Sequence, residues 1–454
     1  MNNLEHWWED HPFPISYMDF SEPSTDLVVP PKDTKRLFYV EGYAAKLILA
    51  ILKSSGFRPT KSLKDSLLIV GSALGEKDFR ALEINQKTNH YQNTFALGSK
   101  DGYHDLMRTL EERTKKRFSF YPESYILPKE RSKLAQVFQT SNLWIQKPAG
   151  GSRGEGIKVI DTPPKTCPVG GVLVQKYISN PLLINGHKFD LRFYVAVPSV
   201  DPLRVYLFNN GLVRIATHNY NDHFNDIGDF AAHLTNFSLN KDQEGFVATD
   251  DISKDGTGNK WSHVPFWPFL ESVGFDSGSI KNKIEKALAT IIISASDSFR
   301  AQHNNRVSFE IFGFDVMIDQ DQNIFVLEAN VSPAMGTSSE LDRYIKSPLV
   351  KDLFNLSLIP EPSNFSQINN MLHCGHISNE DALFYSIVYE HEAALNRAGG
   401  FKLIYPTLEN ISELNTYMTE LSTKDLLLQK WIQFDNQEKW TFLNRNITSF
   451  SDIF

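Results

Sequence analysis

The acidic side chains of Asp315 and Glu328 and the amide of Asn330 stand on a pair of neighbouring β-type segments, at residues 309–319 and 324–330. Both segments are rich in β-branched and aromatic residues, and a short polar run separates them, which predicts a β-hairpin. If that run forms a four-residue loop, Asp315 lies opposite Glu328, and Asn330 shares the face of Glu328 because strand side chains alternate. Oxygen ligands of this kind suit Mg²⁺. The hairpin therefore indicates a metal site, with an exposed polar face on an edge hairpin as the alternative.

A lysine followed by a glycine-rich loop forms a second candidate, from Lys147 to Ile157. Glycines allow backbone N–H groups to approach phosphate oxygens, and a lysine at the preceding strand end adds a point charge. Arg153 lies inside this loop. The pattern predicts phosphate binding, although an ordinary surface hairpin turn has the same composition.

A strand with alternating charged and apolar residues forms a third candidate. Lys188, Asp190 and Arg192 share one face, and the residues between them are apolar. The strand continues as the apolar run 195–197, which favours the lining of a cleft over a solvated ladder of charges. Arg214 follows on the next predicted strand.

Two further segments carry weaker signals. Residues 174–178 could present backbone groups to an adenine ring, and an ordinary core strand is the alternative. Residues 233–241 mix short polar side chains with apolar ones, which is typical of a loop stabilised by local side-chain-to-backbone hydrogen bonds. The histidine at position 233 is more often structural than catalytic in such a context.

Together these segments supply cations for phosphates, a flexible glycine loop and a carboxylate hairpin. That set suits phosphoryl transfer, which needs charge neutralisation, metal bridging and alignment. The chain has no Walker lysine motif and no kinase-type catalytic loop.

The elements that must position these residues are predicted as a mixture of helices and strands. Helical patterns span residues 39–53, 280–303 and 379–397, and short strands separated by loops rich in proline and glycine fill 143–217. Residues 251–260 are predicted as a loop. The α/β (α+β) chain is expected to divide into five sections: an irregular extension with the first helix at 1–60, an N-terminal α/β domain at 61–130, a central domain with the glycine-rich loop at 131–190, a C-terminal catalytic domain at 191–357 and a helical extension at 358–454.

Composition narrows the class of protein. The chain has 454 residues, 41% of them hydrophobic, and a formal net charge of −8, which gives no support to nucleic-acid binding by bulk attraction. It has only two cysteines, which argues against a disulfide scaffold or a cysteine zinc site. No signal peptide or membrane-spanning run is evident, so a cytoplasmic protein with no nucleic-acid or membrane partner is expected.

The order of these motifs resembles ATP-grasp ligases, and the chain is similar to tubulin–tyrosine-ligase-like enzymes, above all to their polyglutamylase branch. The matching stretches run in family order over roughly residues 65–355, and a later match covers 397–406. They are Asn85–His90, Gly98–Asp101, Lys147–Ile157, Gln175–Ile178, Pro181–Arg192, His233–Asn236, Phe309–Asp315 and Leu327–Pro333.

The resemblance implies an ATP-grasp fold with N-terminal, central and C-terminal subdomains, and it implies roles for particular residues. The nucleotide-binding residues would be Lys100, Lys147, Arg153, Gly154, Gly156, Gln175, Lys176, Tyr177, Ile178, Lys188 and Asp190. Those that face the γ-phosphate and the reacting acyl group would be Arg192, Arg214, His233, Thr235 and Asn236. Asp315, Glu328 and Asn330 would hold Mg²⁺, and Lys346 would bind the incoming amino acid, with a surface lysine at a helix end as the alternative.

The implied reaction is ATP-dependent amide formation. A carboxylate on an acidic protein tail, expected to belong to tubulin, becomes an acyl-phosphate that the amine of free glutamate attacks. The expected location is the cytoskeleton or the base of a cilium. Three alternatives stay open: a glycine or tyrosine ligase of the same family, a glutamylase of a non-tubulin protein, and an inactive relative that binds partners.

Two departures from the family pattern are present. The segment Ser332–Met335 reads Ser-Pro-Ala-Met where family members commonly have Ser-Pro-Ser-Leu. Acidic side chains outnumber basic ones nearly two to one over residues 351–454, whereas glutamylases that bind microtubules tend to be basic in this region. The second departure weakens the expectation of direct docking on a microtubule.

Overall fold

A computed structural model of the protein describes residues 16–23, 35–138, 143–151, 154–220, 227–248, 251–300, 307–364 and 379–450. It contains three sheets with helices packed against them, which confirms the predicted α+β class.

The first sheet is parallel and lies near the N-terminus. It consists of β1 (Leu37–Glu41), β2 (Arg58–Pro59), β3 (Leu68–Gly71) and β4 (Lys87–Thr88), in the order β2-β1-β3-β4. The helices in this part of the chain are α1 (Lys46–Ser54), α2 (Glu76–Arg80), α3 (Phe95–Gly98) and α4 (Lys100–Thr114).

The prediction of a helix over 39–53 is wrong at its start. Helix α1 begins at Lys46, and Tyr39 lies in strand β1. The run Leu37–Val40 contains aromatic and β-branched residues that favour a strand, and Gly42 with φ +59° separates that strand from the helix. This sheet therefore extends across the predicted boundary at residue 60.

The second sheet is antiparallel and carries the glycine-rich loop. Its strands are β5 (Ser124–Leu127), β6 (Trp144–Pro148), β7 (Lys158–Ile160) and β8 (Val172–Lys176), in the order β5-β8-β6-β7. Helix α5 (Arg131–Val137) packs beside β5. Lys147 lies near the end of β6, as the sequence predicts.

The third sheet is the centre of the molecule. Its main path runs in the order β13-β12-β10-β11-β16. Strands β14 and β9 also pair with β10, and β15 pairs with β14. The strands are β9 (Leu183–Ile184), β10 (His187–Val200), β11 (Leu203–Phe208), β12 (Leu212–Ile215), β13 (Lys260–Ser262), β14 (Glu310–Ile318), β15 (Ile324–Val331) and β16 (Phe401–Tyr405).

One face of this sheet is apolar and the other carries charges. Phe189, Leu191 and Phe193 of β10 join the main core with a 24-residue helix, while Asp190 and Arg192 alternate to the opposite face. The helices of this region are α6 (Phe230–His233), α7 (Phe237–Asn240), α8 (His263–Ser272), α9 (Ser277–Arg300) and α10 (Glu340–Leu356).

The predicted register of the β14–β15 hairpin is confirmed, although the loop is longer than predicted and a bulge follows it. Asp315 pairs with Glu328, but the loop has five residues because Ile318, not Asp319, pairs with Ile324. A β-bulge between Asp315 and Val316 inserts the extra residue Leu327 and restores the pairing. Without the bulge, the one-residue slip would have turned Glu328 to the other face.

The C-terminal region is built into the same core. It comprises β16 and the helices α11 (Asn379–Asn396), α12 (Ile411–Leu414), α13 (Thr423–Gln433) and α14 (Asn436–Phe450). Strand β16 extends the third sheet by pairing with β11, and Arg300 of α9 binds Asp425 of α13 at 2.7 Å. The section predicted as a helical extension thus also supplies a strand of the third sheet.

A chain that ends at residue 378 is expected to lose cooperative folding. It lacks β16, so Phe401, Ile404 and Tyr405 leave the core, and each contributes about 1.5–3 kcal/mol against a total stability of about 5–15 kcal/mol. Thermal unfolding followed by circular dichroism measures this. A chain ending at residue 434 retains β16 and should keep a cooperative transition. A wild-type transition in the shorter chain would contradict the prediction.

Candidate active site

A ladder of charged side chains crosses five strands on one face of the third sheet. Strand pairing places Lys260 beside Arg214 and Arg214 beside Asp190. Two residues further along β10, Arg192 pairs with Asp315, and Asp315 pairs with Glu328 of β15. The alternation that placed Lys188, Asp190 and Arg192 on one face is what makes a continuous row possible.

The middle of the ladder is a compact ion-pair network. Arg192 binds both oxygens of Asp315, with Nε 2.5 Å from Oδ1 and Nη2 3.1 Å from Oδ2. Arg214 binds both oxygens of Asp190, and its Nη2 also lies 2.8 Å from Oδ2 of Asp315. Two arginines thus balance two aspartates. Both carboxylate oxygens of Asp190 therefore already bind Arg214.

The pKa values of the two hairpin carboxylates are shifted in opposite directions. Burial would raise the pKa of Asp315, but Arg192 and Arg214 hold it well below its usual range. Burial and the nearby Asp315 raise the pKa of Glu328, while Lys100 and Lys147 partly oppose the rise. Glu328, whose side chain is 26% exposed, is therefore a partly buried carboxylate with a raised pKa.

Two buried lysines lie on neighbouring walls of a cavity. Lys147 donates to Gln175 Oε1 at 2.8 Å, and Lys188 donates to the hydroxyl of Tyr177 at 2.8 Å. That hydroxyl also lies 2.8 Å from Nδ1 of His233. Burial lowers the pKa of Lys147 to about 8 and that of Lys188 to about 7. Both ammonium groups would gain from an anion in the cavity.

The cavity gathers most of the residues that the sequence singled out. It lies between the second and third sheets, and its apolar walls include Ile145, Met317 and Leu327. Its predicted members are Lys147, Gln175, Lys176, Tyr177, Ile178, Lys188, Asp190, His233, Thr235, Asn236, Asp315 and Glu328. Apolar walls with a few convergent polar groups are typical of a nucleotide or cofactor pocket.

The glycine loop approaches the same place. Gly154 and Gly156 have φ angles of +83° and +71°, which L side chains rarely adopt. A Cβ on Gly154 would lie 3.0 Å from Oδ1 of Asn236, so the loop comes close to the 233–236 segment. Lys100 donates to the carbonyl of Gly151 at 2.6 Å and lies 3.8 Å from Glu328. Arg153 lies outside the described residues.

The β14–β15 hairpin offers oxygen atoms that could bind Mg²⁺. Among the described residues, no group of three or more histidine, cysteine, aspartate or glutamate side chains could hold a metal. Glu328 and Asn330 nevertheless carry oxygens of the kind Mg²⁺ prefers, and the two side chains are neighbours, since Asn330 Nδ2 donates to Glu328 Oε1 at 3.4 Å. Asp315 can only share its oxygens, since both already bind arginine. The donor set thus fits an ion that takes its remaining ligands from phosphate oxygens and water.

A second cavity of about 490 Å³ adjoins the first and contains Lys346. The sequence predicted Lys346 as a cation beyond the metal strand. In the structure its ammonium group donates to Gly336 O at 2.8 Å and lies 2.8 Å from Asp342. Arg192 and Arg214 line this cavity as well.

Sequence reasoning missed Lys260, which lines the same cavity. This residue was placed at the end of a predicted loop, but it begins β13 and lies 2.7 Å from Asp342. The sequence signal is the aromatic Trp261 directly after it, which favours a strand in which Lys260 lies on the face opposite Trp261.

Comparison with known proteins gives consistent matches. Residues 79–369 match the sequence model of the tubulin-tyrosine ligase family. The tubulin polyglutamylase ttll-4 of Caenorhabditis elegans is 32% identical over 420 residues, which cover 83% of this chain and 68% of the relative. The human tubulin monoglutamylase TTLL4 is 38% identical over 314 residues, which cover 67% of this chain and 26% of the relative.

The human tubulin polyglutamylase TTLL5 is 34% identical over 321 residues, which cover 69% of this chain and 25% of the relative. The matches thus span about a quarter of each human relative. Within the part of the chain that the structure describes, no helix is long and apolar enough to cross a membrane.

Binding of ATP at pH 8 is expected to take up about one proton. Lys188 and Lys147 are partly neutral at this pH, and phosphate oxygens favour their protonated forms. Below pH 6 both lysines are already charged, so ATP binding should cause no proton uptake by them. The affinity for ATP should fall as the pH rises from 7 to 9, because both lysines lose their charge. Calorimetry in buffers of different ionisation enthalpy measures the proton count.

In this experiment the Lys188→Met variant should lose most of the proton uptake that accompanies ATP binding. The same change at the exposed Lys158 of β7 is the matched control and should leave it unaltered. Equal uptake by Lys188→Met and the wild type would contradict the prediction that Lys188 contacts ATP.

Proposed function

The chain belongs to the tubulin-tyrosine ligase family, and we propose that it is an ATP-dependent ligase that joins free glutamate to a carboxylate on an acidic protein tail. The proposed fold is that of the ATP-grasp ligases, with the nucleotide between the second and third sheets. The amide bond would form through an acyl-phosphate.

One observation carries this proposal: two cavities of different character share a wall. The smaller has apolar surfaces and two buried lysines, which suit a nucleotide. The larger is lined by Arg192, Arg214 and further lysines, which suit carboxylates. Thr235, Asn236 and Glu328 belong to both. A phosphoryl group at this wall would be within reach of a carboxylate that enters from the larger cavity.

The proposed residue roles follow from this geometry. Lys147, Lys188 and Lys100 would neutralise phosphate oxygens, and residues 175–178 would hold the adenine ring. Mg²⁺, held by Glu328, Asn330 and a shared Asp315, would supply charge neutralisation between phosphates. Arg192 and Arg214 are fixed by aspartates and would orient the acceptor carboxylate and stabilise charge on it.

The bond changes balance without a further reactant. An oxygen of the acceptor carboxylate attacks the γ-phosphorus of ATP, and ADP leaves. The glutamate nitrogen then attacks the acyl carbon, inorganic phosphate leaves with the bonding electrons, and the nitrogen loses a proton. Thr235 and Asn236 line the shared wall where these groups would meet, and His233 lines the smaller cavity.

Glutamate and tubulin are proposed because the relatives are named tubulin monoglutamylase or polyglutamylase. A location at the cytoskeleton would follow from that substrate. A non-tubulin acidic acceptor is a second candidate, and the acidic excess of residues 351–454 favours it because such a surface would not attract a microtubule. An inactive partner-binding relative is less consistent with the complete set of cations and carboxylates at the shared wall.

Intact-mass measurement of the acceptor tests the proposal directly. The protein is incubated with ATP, Mg²⁺ and glutamate, glycine or tyrosine, in the presence of tubulin or a non-tubulin acidic protein. We expect the acceptor to gain glutamyl residues. Addition of glycine or tyrosine instead would refute the glutamylase assignment but keep the ligase. ATP binding without any addition to either acceptor would favour the partner-binding relative.

Glu328→Gln is expected to reduce turnover by about 10²-fold or more while the fold persists. The amide has nearly the same shape, but it removes the negative charge that would bind the metal. Activity at saturating ATP and a thermal melt measure the two effects. The same substitution at the exposed Glu76, which pairs only with Arg80 at the surface, is the matched control. An unchanged rate in Glu328→Gln at the same Mg²⁺ concentration would exclude Glu328 as a ligand.

A further inference from the structure

Three side chains to which the proposed function gives no role meet between the first and third sheets. His90 lies just after β4, Glu310 begins β14, and Ser332 directly follows β15. Nδ1 of His90 lies 2.7 Å from Oε1 of Glu310, and Nε2 lies 3.2 Å from Oγ of Ser332. The side chains of His90 and Glu310 are 4% and 0% exposed. One buried imidazole ring thus joins the first sheet to the start of β14 and to the end of β15.

The partners of this ring indicate where its protons lie. Nε2 of His90 is 2.7 Å from the carbonyl oxygen of Gly71, which can only accept a hydrogen bond. Nδ1 faces the carboxylate of Glu310, whose other oxygen accepts from the backbone N–H of Tyr91 at 3.1 Å. Two acceptors at two nitrogens require one proton on Nε2 and a second between Nδ1 and Glu310. The pair therefore holds one proton more than a neutral imidazole beside a carboxylate.

A neutral ring with a bare Nε2 is the alternative. It could accept hydrogen bonds from the amide of Asn89 and from the hydroxyl of Ser332, which both lie 3.2 Å from Nε2. The carbonyl oxygen of Gly71 is closer, at 2.7 Å, and its lone pairs would then repel the lone pair of the nitrogen. The distances therefore favour a proton on Nε2.

The charges around the pair act in the same sense. Burial would lower the pKa of His90, but Glu310 and the Gly71 carbonyl raise it overall, and burial raises the pKa of Glu310. Among the described residues, the charged group that faces His90 is Glu310, while His90, the backbone N–H of Tyr91 and the hydroxyl of Thr94 face Glu310. The pair therefore keeps its extra proton until the pH rises through the raised pKa of His90.

The contact with Ser332 reaches the wall of the larger cavity. Ser332 has φ +52°, which residues other than glycine rarely adopt, so its conformation depends on support from neighbouring groups. The next residue, Pro333, lies beside Arg192: a Cβ on Gly313 would be 3.0 Å from Cβ of Pro333 and 2.9 Å from Nη1 of Arg192. All three side chains, those of Ser332, Pro333 and Arg192, line the larger cavity. A shift of Ser332 would therefore move a direct neighbour of Arg192.

We propose that His90 is a positioning residue for the acceptor carboxylate. Its proton-bearing ring joins Glu310 to Ser332. Ser332 in turn holds Pro333 beside Arg192. The assignment to the acceptor rests on the proposed function, which gives Arg192 that substrate. His90 itself is not among the described residues that line either cavity, so it acts through its neighbours and does not touch the substrate.

The first experiment removes only the contact with the wall. Ser332→Ala deletes one hydroxyl and leaves the His90–Glu310 pair in place, so the fold should persist in a thermal melt. The KM for the acceptor should rise on the order of tenfold, because the arginine beside Pro333 is less well placed, and the KM for ATP should stay nearly unchanged. Ser272→Ala, which removes an exposed hydroxyl that donates to Phe269 O, is the matched control. An unchanged KM for the acceptor in Ser332→Ala would overturn the proposal.

The second experiment asks whether a neutral bridge restores the function. His90→Ala should raise the KM for the acceptor at least as much as Ser332→Ala does. In the double variant His90→Gln with Glu310→Gln, two carboxamides can still donate and accept, so part of the loss should be recovered. A KM for ATP that rises in step with the KM for the acceptor would indicate general damage and overturn the positioning role. If His90→Ala does not fold, the Ser332→Ala kinetics decide alone.

The third experiment observes the proton directly. The wild type is labelled with ¹⁵N-histidine, and the ring signals of His90 are identified by their absence from the double variant. At about pH 7 the nitrogen shifts should show a proton on Nε2, and the second proton should be lost as the pH rises further. A bare Nε2 at about pH 7 would overturn the proton-bearing bridge.

The two hypotheses can fail separately. If the wild type joins no amino acid to any acceptor, the proposed function fails, but the nitrogen shifts still decide whether His90 carries the bridging proton. If the wild type is an active ligase and both Ser332→Ala and His90→Ala keep the wild-type KM for the acceptor, only the positioning role fails.

Discussion

The ion-pair network of Asp190, Arg192, Arg214 and Asp315 is the interaction on which the rest of the site depends. It joins β12, β10 and β14 through charged groups that are nearly buried, with 4–14% of each side chain exposed. Its charges balance, so the whole set can be buried at tolerable cost. Removal of one partner would leave an unpaired charge and cost about 3–5 kcal/mol. The network therefore fixes the register of three strands and holds the arginine side chains toward the cavities.

Because this centre is neutral, the uncompensated charges lie to either side of it. On the side of the second sheet, Lys147 and Lys188 are buried enough to have lowered pKa values, and they face a cavity with apolar walls. On the side of β13, Lys260 and Lys346 share a single aspartate. Glu328, at the β15 end of the ladder, lines both cavities and has a raised pKa. The same sheet face thus separates places suited to phosphates, to a metal ion and to carboxylates.

The surrounding elements hold this face in place from both ends of the chain. His90, just after β4, binds Glu310 of β14 at 2.7 Å, and its other ring nitrogen lies 2.7 Å from the carbonyl of Gly71. Burial would lower the pKa of His90, but the pairing with Glu310 raises it overall. The same ring lies 3.2 Å from Ser332, which directly follows β15 and has φ +52°. The parallel sheet therefore positions the segment where this chain departs from the family pattern, and β16 closes the opposite edge.

The sequence by itself determined the features that depend on local periodicity. Alternation placed Lys188, Asp190 and Arg192 on one face, and aromatic and β-branched runs indicated the β14–β15 hairpin. The ordered motifs identified the family, and the long helix α9 followed from its apolar repeat. These properties depend on residues that are close together in the sequence, so they can be predicted without knowledge of the fold.

Tertiary structure alone decided which charges meet across strands and helices. The bulge at Leu327 corrected a one-residue slip, and β1 formed where a helix was predicted because β3 lies beside it in a parallel sheet. Lys346 proved to be held by Asp342, and Lys260 joined that aspartate from a strand more than eighty residues earlier. A charge separated by that distance in sequence has no periodic signal. Its partner is set by sheet order and helix packing, which only the folded chain defines.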